Sequence, residues 1–189
     1  MRFARAEIGP GFRAAHDMGL AVILGGNLFA RFGMHPALRE VSDARERGKV
    51  VNSAWRRYGT VNSLGLAALL AGWAGSRLQE AGRRQSEPER MLGPVRDAAV
   101  VAVAATGVAA GLEGIRFSRM EPKGAIPLED GSEAEETASA REARAKRRLN
   151  LLGGLHLASA LALAGVNAAM RQAAAMARPK RGLLRSRCI

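Results

Sequence analysis

The sequence predicts an all-α fold: a four-transmembrane-helix bundle, arranged as two tandem helical hairpins. Three observations carry that expectation. Four uncharged runs, Met18–Ala30, Tyr58–Ser76, Ala98–Leu112 and Leu149–Met170, hold 13, 19, 15 and 22 residues, and a bilayer core takes ~20 helical residues to cross. All 46 Asp, Glu, Lys and Arg residues lie outside these runs, so charge and apolarity alternate in blocks. The runs at 58–76 and 149–170 also lack the charged face that a soluble surface helix shows on each turn or two.

Composition removes other classes. A length of 189 residues suits one domain with a tail. The missing Gly period, the apolar blocks and the single cysteine exclude collagen, low-complexity disorder and a disulfide scaffold. One Cys and three scattered His give no paired-ligand spacing, so no metal site is expected. The phosphate-loop, Gly-x-Ser-x-Gly and His-Glu-x-x-His motifs are missing as well, and no cofactor is indicated.

Taken in order, the first span is expected over about residues 14–33. Arg2, Arg5 and Arg13 precede it like the basic region of a signal peptide. Leu28-Phe29-Ala30 is a poor cleavage site, however, and His16-Asp17 interrupts the approach, so the span is expected to be retained. Pro36 should end it. In the connector Met34–Arg57, apolar Leu38, Val41, Val50, Val51, Ala54 and Trp55 lie among charges. That pattern fits either a short interfacial helix, with Trp55 and Tyr58 at headgroup depth, or a solvated loop. The second and third spans follow over about 58–76 and 97–114. The loop 119–138, with Pro122, Pro127 and six acids within Glu121–Glu136, reads as flexible. From Ser139 a helix should run straight into the fourth span at 149–170. The membrane domain is thus expected over 1–172, with a basic tail over 173–189.

The halves resemble copies of one hairpin. Asp17 opens the first run and Asp97 the third. Arg56-Arg57 with Asn62 leads the second run, and Arg147-Arg148 with Asn150 the fourth. Lys and Arg divide almost evenly between the two sides of a four-span layout, so the positive-inside rule sets no orientation. In the tail, Arg178, Lys180, Arg181, Arg185 and Arg187 suit anionic lipid or an acidic partner, at about 1 kcal/mol per charge near a membrane surface.

Polar groups at membrane depth are costly unless paired, which singles out Asp17, Asn27, Asn62, His156 and Asn167. One reading has Asp17, Asn27, His156 and Asn167 meeting inside the bundle around a ligand, a proton path or a metal. The other makes them interhelical hydrogen bonds of about 0.6–2 kcal/mol each. Gly65 and Gly72 share a face of the second helix, and Gly107-x-x-x-Gly111 gives the third a close-packing spacing.

The stretch Leu24-Gly25-Gly26-Asn27-Leu28-Phe29-Ala30, then His35-Pro36-Ala37-Leu38, a charged connector and Trp55-Arg56-Arg57-Tyr58 resembles small bacterial four-helix membrane proteins of anthrone-oxygenase-like type. The likeness covers about residues 18–75. It implies a four-helix membrane fold and matches no catalytic residue.

Three functions follow as expectations. The first is a non-enzymatic structural or accessory subunit of a bacterial cytoplasmic membrane, multi-pass, partnered by lipid, by itself or by other membrane subunits. The alternative is a small membrane enzyme or carrier for an apolar or redox substrate. The third, a soluble basic helical protein on nucleic acid, is suggested by the +12 charge but disfavoured. Its eight aromatics are few for base stacking, and its charges avoid the long helices.

Overall fold

Capping residues set where the helices begin. The Asp43 carboxylate accepts from the Glu46 N–H at 2.8 Å. Ser86 with Glu89, and Ser139 with Glu142, form reciprocal capping boxes. The computed structural model describes residues 2–81 and 86–176. Its elements are α1 (Arg2–Phe29), a single-turn α2 (His35–Ala37), α3 (Ala44–Glu80), α4 (Glu87–Ser118) and α5 (Ala140–Met176). Among the described residues the only strand-like pairing is an isolated bridge between Leu128 and Ala134.

Pro36 shapes the end of α1. It has no N–H to continue the ladder, and its ring crowds the carbonyl four residues back. The chain responds by widening into a π turn at Ala30–Met34, where the His35 N–H reaches back to the Ala30 carbonyl, before α2 and a 3-10 turn at Leu38–Glu40.

The four long helices run alternately up and down. α1 lies along α3 and α4 along α5, while the two pairs meet mainly through α1 against α5 and, less, α3 against α4. Small residues allow the α1–α3 approach. A Cβ on Gly19 would strike backbone of Gly65 and Leu69, and one on Gly72 would strike backbone of Phe12 and His16. All four helices contribute to the mid-bundle core of Leu20, Ile23, Leu69, Val100, Val103, Ala160 and Leu163.

Among the described residues two helices, α4 and α5, are long and apolar enough to cross a membrane. α1 and α3 fall short because Gly, Asn, Ser and polar aromatics dilute their uncharged runs, and His16 and Asp17 directly precede the first. Absence of charge is a weaker property than apolarity. In both α4 and α5 the apolar stretch faces outward: 11% and 17% of its residues are buried.

α3 and α5 have 37 residues each, about 55 Å of helix, against a bilayer core of ~30 Å. The overhang carries a second core. Leu38, Val51, Phe117, Ile126 and Leu128 are buried together, with Met34, Trp55, Met120, Ala145 and Leu149 against them. The expectation of a flexible loop over 119–138 is therefore overturned. Gly124–Leu128 is buried throughout, because Ile126 and Leu128 give this acidic segment apolar anchors and the α3 and α5 overhangs give it walls. The connector Met34–Arg57 is likewise no separate interfacial helix: from Ala44 onward it is the first turns of α3.

Candidate functional site

The cap over the second core is built on backbone carbonyls held by side chains. Arg47 on α3 donates to the carbonyls of Val41 at 2.6 Å, Leu128 at 3.1 Å and Glu129 at 3.0 Å. The Asn52 amide donates to the Gly124 carbonyl at 2.9 Å. Gly124 adopts φ +73, a conformation that suits glycine. Gly48 gives Ile126 room, since a Cβ there would run into the Ile126 backbone. Asp130 folds the next turn: its carboxylate accepts from the Ser132 N–H at 2.6 Å and the Glu133 N–H at 3.0 Å, and binds Arg39 at 2.8 Å.

That turn delivers chemistry-bearing groups to α5. His35 Nδ1 lies 3.2 Å from Ser132 Oγ, and its ring packs edge-on to Trp55 at 6.4 Å. Among the described residues His35 Nε2 is buried without a partner. Burial first, then the positive charges of Lys146 and Arg31, push the His35 pKa down to about 4, against the pull of Asp130. Lys146 is 4% exposed. It donates to the Gly131 carbonyl and sits 5.7 Å from the centre of the Phe117 ring. Burial lowers its pKa to about 8, with Asp130 opposing. Asn150 donates to the Ser132 carbonyl. Between the turn and α5 opens a cleft of about 330 Å³, lined by Ser132, Glu133, Ala134, Ala143, Lys146, Arg147 and Asn150.

The opposite end carries a charge network. Arg96 donates to both Glu80 carboxylate oxygens at 3.1 and 3.0 Å. Arg77 bridges Glu80 at 3.1 Å and Asp97 at 2.9 Å, and the Trp73 indole donates to Asp97 at 2.7 Å. Burial raises the Glu80 pKa, but the hydrogen bonds and charges of Arg96 and Arg77 outweigh it and leave a net lowering. These contacts tie α3 to α4 beside a cleft of about 180 Å³.

The residues singled out by sequence do not form one cluster. Asp17 pairs with Arg171 at 2.7 Å. Asn27 donates to the Ile23 carbonyl of its own helix at 2.8 Å. His156 lies 3.2 Å from Thr106 Oγ1, against Gly107. Asn167 meets His16, not His156, at 3.0 Å. Among the described residues the Asn62 side-chain oxygen is buried without a partner. Gly65 and Gly72 lie at the α1–α3 crossing, whereas Gly111 has open space beside it. Arg178, Lys180, Arg181, Arg185 and Arg187 lie outside the described residues. Lys146, Ser132, Asn52 and Arg47 belong to no motif: Arg47 and Asn52 lie in the patterned connector, Ser132 in the acidic segment expected to be flexible, and Lys146 in the charged helical approach to the fourth run. One signal was available: 4 of the 29 cationic residues are lysines, so each lysine departs from the chain's habit. Comparison with known protein families, curated proteins and solved structures finds no match to this chain.

Proposed function

We propose that the chain is a multi-pass protein of a bacterial cytoplasmic membrane, all four long helices crossing, and that it serves as a non-catalytic subunit of a larger membrane assembly. The observation carrying this reading is the outward-facing apolar stretch of α4 and of α5, in which 11% and 17% of the residues are buried. A soluble bundle turns its most apolar helices inward; here Val101, Val108, Leu112, Leu151, Leu155 and Leu161 are exposed. α1 and α3 are less apolar, but they are packed as a pair against the other hairpin and would cross as its companions. Among the described residues nothing lies within 4 Å of a Cβ position at Gly111, Gly153, Gly154 or Gly165, which supports a role in packing against further helices.

Fractionation tests the membrane part. The full chain should stay with membranes through alkaline carbonate and be released by mild detergent; recovery in buffer alone refutes it. Mass spectrometry of the detergent-purified material tests the subunit part, where a stoichiometric membrane protein is expected and a monodisperse monomer refutes it. A second reading, a small membrane enzyme, is favoured by the cleft at Lys146.

A further inference from the structure

The cleft between the Ser132–Ala134 turn and α5 has a lysine in its wall where this chain ordinarily places arginine. We propose that Lys146 is a nucleophilic amine that captures a small carbonyl acid, such as a 2-oxo acid, as an imine in this cleft. The proposal rests on the second reading above.

Geometry supplies the first support. Among the described residues Lys146 makes no ion pair, and its polar partner is the Gly131 carbonyl. A neutral amine keeps one N–H on that carbonyl and leaves its lone pair for the cleft. Arginine at 146 would satisfy the carbonyl equally and could never deprotonate. The volume of about 330 Å³ stands at the lower end of small-molecule sites, ~300–1,000 Å³.

The surroundings choose the ligand. Arg147 lines the same cleft and offers a guanidinium to a carboxylate, while Glu133 offers a carboxyl group to carry protons. The other charges facing Lys146 are Asp130, which is held by Arg39, and His35. Burial keeps a usable fraction of the amine neutral near its pKa of about 8.

In the step, the Nζ lone pair forms a bond to the carbonyl carbon as the C=O π pair moves onto oxygen. The Glu133 carboxylate takes one N–H proton and passes it to that oxygen. As it takes the second N–H proton and hands it to the hydroxyl, water leaves and the nitrogen lone pair closes the C=N bond. Amine and carbonyl become imine and water, with no net oxidation.

The test uses the full chain in mild detergent with glyoxylate and cyanoborohydride, which traps the imine as a secondary amine. Peptide mass mapping then compares Lys49, Lys123, Lys146 and Lys180. Lys146 should be modified about tenfold faster than the others, with a rate rising to half-maximum near pH 8. Glyoxylate should outpace propanal, and Arg147→Gln should erase that preference. Lys146→Arg should leave only the modification of the other three lysines. Equal labelling of all four, or protection of Lys146, overturns the proposal, and this comparison within the unsubstituted chain decides even if the variants do not fold. Protected Lys146 in carbonate-resistant membranes refutes the chemistry alone; solubility in buffer refutes the membrane reading alone.

Discussion

Asn167 on α5 donates its side-chain amide to His16 Nε2 on α1 at 3.0 Å, and both residues are buried. Only the neutral imidazole can accept there, so Nδ1 carries the proton and donates to the Leu69 carbonyl on α3 at 3.0 Å. One histidine thereby joins three helices and both hairpins. The neighbouring Asp17–Arg171 pair spans the same α1–α5 contact but is half exposed.

Asn167→Leu should therefore lower stability by about 1–2 kcal/mol, since it removes an interhelical bond and leaves the Nε2 acceptor buried and unsatisfied. Asp17→Asn should cost less, about 0–1 kcal/mol, as expected of an exposed ion pair. Detergent-solubilised unfolding followed through Trp73, which lies in the same cleft as His16, ranks the two. An equal loss would remove the distinction drawn between them.

The α1–α3 crossing makes a second comparison. At Gly72 a methyl group would meet the backbone of Phe12 and His16, atoms that cannot swing aside. Gly72→Ala should cost about 1–3 kcal/mol through forced separation of the helices. Gly111→Ala meets open space and should be neutral or stabilising by up to about 1 kcal/mol, from helix propensity. If Gly111→Ala destabilises the purified assembly but not the isolated chain, that glycine packs against a partner.

How much was legible in advance divides along physical lines. Four helices, their order and the hairpin pairing follow from alternating apolar and charged blocks, a pattern strong over each run. The helix from Ser139 onward was readable from its run of Ala, Arg and Glu, and the Ser139–Glu142 capping box that opens α5 is equally local in sequence. Which polar side chains meet was not readable. A helical wheel places Asn167 and His156 on one face of α5, but their partners His16 and Thr106 are set by helix rotation and stagger. The cap was misread for a related reason. A segment with six acids looks solvated until Ile126, Leu128 and Gly124 find the α3 overhang, some 70–80 residues away in sequence.

The folded cap yields a third prediction. Gly124→Ala forces a β-carbon into φ +73 and against Asn52, at a cost of about 1–3 kcal/mol. Asn52→Ala leaves the Gly124 carbonyl without its buried donor. Both variants should expose Lys123 and Arg119 to trypsin while α4 and α5 stay intact. Unchanged cleavage would mean that the cap does not depend on this bond.

The last prediction concerns pH. His35 has a pKa of about 4 in the fold against 6.5 in the unfolded chain, so between these values the unfolded state binds more protons and stability rises with pH. The His35 contribution is complete above pH 6.5 and lost as pH falls towards 4. Lys146, at about 8 in place of 10.5, acts with the same sign in a higher window. Cap stability should thus rise again between pH 8 and 10.5, as the buried ammonium is relieved of its charge. A Trp73→Phe background leaves Trp55 as the reporter, 6.4 Å from the His35 ring. Its acid transition should vanish in His35→Gln, and the alkaline gain should vanish in Lys146→Met. An acid transition that survives His35→Gln would shift the cause to carboxylates such as Asp130, whose ion pair with Arg39 anchors the same turn.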